Sequence, residues 1–147
     1  KCVDALCREF GETAQDFRGD AYSLFPAPEA LAGATEESLR ELGLGYRAPY
    51  IVKTARMVCE GKVELESLPE LGYEEAKEEL LKLCGVGVKV ADCICLFALH
   101  HIEAFPVDTH IKAMLKRYPK GFPFERYQGF AGVLQQYAFY YELHGQK

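Results

Sequence analysis

Between Leu83 and His110 the chain reads LCGVGVKVADCICLFALHHIEAFPVDTH. This stretch holds a glycine-punctuated turn, a lysine at a helix start, a nearly all-apolar helix, and an aspartate directly after Pro106-Val107. Those are the ingredients of a buried reactive amine beside a carboxylate. Gly85 and Gly87 permit torsions and close approaches that a Cβ forbids, and they separate two segments of helical pattern, so a tight hairpin between two helices is expected. Its backbone N–H groups, with the free N–H groups opening the second helix, form a concave donor surface suited to a phosphate oxygen. Read alone, the Gly-x-Gly is a weak signal, and a structural turn is the plainer reading.

Lys89 follows Gly87 by two residues, in the first turn of the second helix. The positive end of the helix dipole opposes its protonation by roughly 0.3–1 kcal/mol. Val88, Val90, Ala91 and Ile94 would add desolvation, which also favours the neutral amine. Such a lysine can attack an electrophilic carbon and form a Schiff base. The plainer reading is a surface lysine whose stem covers the helix. Asp108 stands at the start of a further helical segment, Thr109 to Tyr118, where aspartate is a good N-cap. A cap is held rigidly, so the same carboxylate can also be aimed at a neighbouring site.

The segments LCGVGVKVADCIC and EAFPVDTH together resemble the helix-hairpin-helix and Gly/Pro-rich loop with aspartate of the GPD superfamily of DNA glycosylases. Within it, the chain is similar to the 8-oxoguanine DNA glycosylase branch from Cys2 to about His144. The resemblance implies an all-α fold, a helical glycosylase core over residues 1–147 with its hairpin at about 74–100. Lys89 would mark a bifunctional member, one that removes a base and cleaves the strand. It also implies that the family's N-terminal β-sheet domain, its asparagine-bearing hairpin and a glycine carbonyl that recognises the oxidised base would precede Lys1. Cys84 stands where many relatives have Pro, and Val88 where Thr or Pro is common.

Two further motifs carry residue roles through the same resemblance. GLGYRA, from Gly43 to Ala48, is similar to a loop in which the tyrosine wedges into the base stack and the arginine addresses the unpaired cytosine, here Tyr46 and Arg47. A half-packed tyrosine and a solvated arginine are the alternative. In FAGVLQQYAF, Gln135 matches the residue that reads the Watson–Crick edge of the everted base, and Phe139 the ring that stacks on it. Cys93 matches the residue on the base's other face, and His110 a pocket or phosphate contact. Core aromatic and solvated glutamine is the plainer account of Gln135 and Phe139, which lie four apart on one helix side. The DNA grip falls to Gly85, Gly87 and Val88.

The remainder of the chain predicts a string of short helices. Val3, Leu6, Cys7 and Phe10 share a face of a first helix ended by Gly11. Asp16 to Pro28 is rich in Gly and Pro and predicts a connection. Pro28 opens a short helix, Thr35 caps the next, and Tyr50 to Glu60, Leu65 to Leu71 and Glu74 to Leu83 continue the series. After Thr109 to Tyr118 comes a loop with Pro119, Gly121 and Pro123, then a long aromatic helix from about Glu125 to His144.

The formal net charge of −5 is awkward for a DNA-binding protein. Glutamates from Glu60 to Glu79 crowd one region, however, while Lys112, Lys116, Arg117, Lys120 and Arg126 follow the lysine–aspartate segment. The acidic group is expected to face away from DNA, as a solvated face. The six cysteines, Cys2, Cys7, Cys59, Cys84, Cys93 and Cys95, lack framework or zinc spacing, so reduced and mostly buried thiols are expected, with no metal. No organic cofactor is implied, although hairpin carbonyls in relatives can hold an ion. Without a signal peptide or long apolar run, a soluble intracellular protein acting on no membrane is expected; the family resemblance implies a monomer of cytoplasm, nucleoid or nucleus acting on double-stranded DNA with oxidised guanine. Two other readings stay open: a glycosylase of this fold for another damaged base, and a non-enzymatic helix-hairpin-helix DNA-binding module.

Overall fold

The computed structural model describes residues 1–118 and 120–145; Pro119, expected in the loop before the last helix, lies outside them. Two compact units are formed, Lys1–Leu65 with Leu83–Gly85, and Glu66–Lys82 with Val86–Lys147.

In the first unit, helix α1 (Cys2–Phe10) is followed by strands β1 (Thr13–Gln15) and β2 (Ala21–Ser23). They pair antiparallel, with Thr13 opposite Ser23 and Gln15 opposite Ala21. The stretch expected to be plain connection therefore contains part of a hairpin. Its turn is tied by Asp16, whose Oδ1 accepts the N–H groups of Arg18 and Asp20 at 2.8 and 3.0 Å. Helices α2 (Pro28–Ala32) and α3 (Glu36–Leu39) come next. Thr35 caps α3 as expected, its Oγ1 accepting the N–H of Ser38 at 3.1 Å. The segment Arg40–Leu44, kinked at Gly43 where φ is +84°, and a 3₁₀ turn at Gly45–Arg47 lead into α4 (Ala48–Cys59), with Pro49 in its first turn. Leu6, Leu31, Leu39, Leu44, Ala48, Val52 and Ala55 are buried together. Small Ala48 and Ala55 let α2 pack closely on α4, and Arg56 Nε donates to the Ala32 carbonyl that ends α2.

The second unit opens with the greater part of a 3₁₀ turn, Leu65–Glu70, and continues with α5 (Tyr73–Leu81), α6 (Val88–Phe97), α7 (Thr109–Leu115) and α8 (Ala131–His144). Helix α5 packs on α6, and α7 on α8. Leu80, Ala91, Cys95, Leu96, Ile111 and Met114 are buried there. Helix α7 is three residues shorter than expected, and the last helix starts later: Phe124–Tyr127 is a separate 3₁₀ turn. Gly129, at φ +84°, separates that turn from α8 in a conformation that costs other residues strain. The surplus apolar residues of α8 face outward, with Tyr137 73% exposed and Tyr140 and Tyr141 also exposed.

Among the described residues the six cysteines are free thiols, but Cys95 alone is fully buried; Cys2 and Cys59 are exposed. The expectation of mostly buried thiols thus fails: Cys2, at the start of α1, and Cys59, at the end of α4, are exposed. No helix among the described residues is long and apolar enough to cross a membrane.

Candidate active site

Residues from three separated stretches meet in one cleft of about 180 Å³ in the second unit. Lys89, Cys93 and Phe97, spaced four apart on α6, supply one wall. Pro106 and Asp108 supply a second, and Gln135, Gln136 and Phe139 of α8 a third.

Asp108 is the N-cap of α7, its Oδ1 accepting the N–H of Ile111 at 2.8 Å. The cap and the cleft position coexist: the half-buried carboxylate is fixed by its own helix at the cleft wall. Lys89 differs from expectation. It is exposed, and Val88 and Val90 are 58% and 41% exposed, so the apolar wrapping predicted around the amine is not built from them. Only Ala91 of the four expected neighbours is fully buried, because the first turn of α6 turns its valines outward.

Gln135 is 3% exposed, far from the solvated alternative. Its Nε2 donates to the Pro106 carbonyl at 2.9 Å, while its Oε1 accepts from Gln136 Nε2. The amide is thereby oriented by the loop that carries Asp108. Phe139 is half-buried, with its ring edge-to-face to His110 at 5.8 Å between centroids. His110 itself is exposed and is not among the cleft-lining residues.

Gly87 is the N-cap of α6 with an extended backbone, φ −97°, a conformation open to any residue; a Cβ there would meet nothing within 4 Å. Val88 is the first residue of the helix, exposed beside it. Gly85, in the first unit, is different, with φ +82° and no room for a Cβ beside Tyr50. In the same unit Thr54 Oγ1 donates to the Cys84 carbonyl at 3.1 Å. Tyr46 and Arg47 are both exposed there, the guanidinium carbon 4.6 Å from the Tyr46 ring centre and Tyr50 edge-on to the same ring. Arg117 is not a free cation of the expected basic group, since it pairs with Glu142 of α8.

A buried polar cluster beside the cleft escaped the sequence reading. Asp92, 4% exposed, accepts the Tyr73 hydroxyl at 2.8 Å and the Lys77 ammonium at 2.8 Å. Burial pushes the Tyr73 phenol up to about 12, with Lys77 opposing and Asp92 reinforcing. Burial works against the Lys77 ammonium, yet its bonds to Asp92 and Tyr73 outweigh this and hold it above the ordinary lysine range. Burial likewise raises the Cys95 thiol, helped by the Asp92 charge. The available signal was a lone carboxylate within an apolar helix. Pro106, Phe97 and Gln136 were also missed; Phe97 continues the four-residue spacing of Lys89 and Cys93.

Among the described residues no group of three or more His, Cys, Asp or Glu side chains is arranged to hold a metal ion. A model of the HhH-GPD superfamily base excision DNA repair protein matches residues 1–120. The N-glycosylase/DNA lyase of Saccharomyces cerevisiae is 43% identical over 128 residues, covering 80% of this chain and 34% of that protein. The probable N-glycosylase/DNA lyase of Methanothermobacter thermautotrophicus is 35% identical over 140 residues, covering 82% and 44%. Among solved structures, Clostridium acetobutylicum 8-oxoguanine glycosylase/lyase in complex with double-stranded DNA containing cytosine opposite 8-oxoguanine superposes with a TM-score of 0.85 at 34% identity. That match covers 100% of this chain and 54% of the other. The chain thus spans less than half the length of these two curated relatives.

Proposed function

The chain belongs to the HhH-GPD superfamily of base excision DNA repair proteins, and on that premise we propose that it is the core of a bifunctional 8-oxoguanine DNA glycosylase and abasic-site lyase. The observation that carries the reading is the meeting of Lys89 and Asp108 in one cleft with Cys93, Gln135 and Phe139. A nucleophile, a carboxylate and a base-sized slot in one place are what base removal by an amine requires.

The substrate is duplex DNA with oxidised guanine opposite cytosine. Tyr46 wedges into the stack as the damaged base leaves it, and Arg47 addresses the unpaired cytosine. Gly85, Gly87 and Val88 grip the phosphate backbone through main-chain donors, which position the duplex without reading its sequence. The everted base lies between Cys93 and Phe139, with Gln135 at its edge and His110 beside the pocket. Because Lys89 is exposed, the bound DNA rather than the helix must exclude water from the amine.

Lys89 Nζ then forms a bond to C1′ as the glycosidic bond breaks and the base departs with a proton. Asp108 stabilises the positive charge developing on the sugar and helps to move protons. The ring-opened sugar remains as a Schiff base on Lys89. Loss of a C2′ proton expels the 3′ phosphate and cuts the strand. The protein works as a soluble monomer on nuclear or nucleoid DNA.

Borohydride reduction in the presence of an 8-oxoguanine:cytosine duplex tests this. Covalent capture that vanishes in Lys89→Gln supports it. No capture on either lesion or abasic DNA by the full protein leaves a DNA-binding module, and capture only on duplexes with another damaged base transfers the activity to that base.

A further inference from the structure

We propose that Tyr73 and Lys77, acting through Asp92, are positioning residues that fix the rotation of α6 and so aim Lys89 and Cys93 into the cleft. The inference rests on the reading of Lys89 as the reactive amine and adds residues that do not line the cleft.

The cluster is closed on itself. Tyr73 Oη and Lys77 Nζ both reach Asp92 Oδ1 at 2.8 Å, and Lys77 Nζ also donates to Tyr73 Oη at 3.1 Å. The Lys77 ammonium lies 5.1 Å from the Tyr73 ring centre as well. Tyr73 and Lys77 lie one turn apart on α5, so two points of that helix hold one point of α6. A buried ion pair seldom stabilises a fold more than apolar packing of the same volume would. What it supplies is direction, since apolar contacts tolerate sliding and rotation that bonds of this length do not.

Direction matters on α6 because successive residues are about 100° apart around a helix. With Asp92 held toward α5, the adjacent Cys93 is turned to another side, and Lys89, four residues before Cys93, shares that side and the cleft. Asp92 lies only three residues beyond Lys89, so the restraint acts within one turn of the amine. An attack geometry displaced by 1 Å can cost about 10²-fold in rate.

The test compares the full wild-type protein with Tyr73→Phe and with a triple variant, Tyr73→Phe, Lys77→Met and Asp92→Leu, which keeps the helices packed without the directed bonds. Single-turnover borohydride trapping on an abasic duplex is measured at saturating protein, beside the dissociation constant, the melting temperature and the iodoacetamide labelling rate of Cys93 read by mass spectrometry. The expected result is a trapping rate lowered about tenfold or more in the triple variant, at unchanged melting temperature and affinity, with Cys93 labelling altered about threefold or more. Wild-type trapping and Cys93 labelling in a folded triple variant overturn the proposal, as does a loss of rate that only follows the folded fraction. If the triple variant does not fold, Tyr73→Phe decides: a trapping rate equal to wild type overturns the proposal, and a lowered rate at unaltered melting temperature supports it. Absence of trapping by the wild type defeats the Schiff-base reading instead. Cys93 labelling then still decides whether the cluster sets α6, altered labelling supporting that and unaltered labelling overturning it.

Discussion

The ring of Tyr50 lies against the backbone of Gly85, so that a Cβ added at Gly85 would come within 2.5 Å of Tyr50 Cγ. Tyr50 and Thr54 are one turn apart on α4, and Thr54 holds the carbonyl of the neighbouring Cys84. Cys84 and Gly85 are therefore held against α4 by one hydrogen bond and one close contact.

Gly85→Ala places a methyl group on that ring and forces an alanine to φ +82°. The expected cost is about 1–3 kcal/mol, read as a lower urea midpoint. Binding to damaged and undamaged duplexes should weaken alike, because the grip proposed for the turn is on phosphates. Adding Tyr50→Ala should recover only part of the loss, since it removes the clash and leaves the torsional strain. An unchanged midpoint in Gly85→Ala would show that the turn can rearrange at no cost.

The hairpin turn and the Asp108 cap were legible because each rests on a local rule, glycine punctuation or the residue before a helix, whereas Cys93 entered only through the family resemblance. Other features depend on partners remote in sequence. Gln135 is oriented by Pro106, and Arg117 is taken by Glu142, and neither pairing leaves a mark in local periodicity. Composition around Lys89 suggested burial because Val88 and Val90 are apolar, but composition does not say which side of a helix faces water. The hairpin of β1 and β2 was missed because its strands span three residues each, too few for alternation to register. The Asp92 cluster was overlooked although its signal was present in the chain.

Asp108→Asn preserves a good N-cap while removing the charge. Thermal stability should stay within about 0.5 kcal/mol of wild type, and base release in single-turnover assays should slow by about 10²-fold or more. Affinity for lesion DNA should change little by comparison. Equal losses in binding and base release would reduce the carboxylate to a cap.

Phe139→Ala removes one face of the proposed base slot and the ring that meets His110. Stacking on an aromatic ring contributes about 1–3 kcal/mol per base, so the dissociation constant for lesion duplex should rise by roughly 5–150-fold. Binding to undamaged duplex, in which no base is everted, should be nearly unaltered. An equal effect on both, measured by fluorescence anisotropy, would take Phe139 out of the pocket.

Stability should fall at alkaline pH through the Asp92 cluster. Tyr73 is raised from 10.0 to about 12, Lys77 lies above its usual 10.5 and Cys95 above 9.0, so all three keep protons in the folded state that the unfolded chain releases. Where the unfolded state binds fewer protons, stability declines as pH rises. Their contribution is fully present below about pH 9 and is lost progressively as pH climbs through about 12. Tyr73→Phe removes one of the three protons and should flatten the decline in melting temperature above pH 10.0, the ordinary tyrosine value. The same slope in wild type and variant would mean that Tyr73 titrates no differently folded than unfolded, and would dissolve the link between its burial and its hydrogen bond to Asp92.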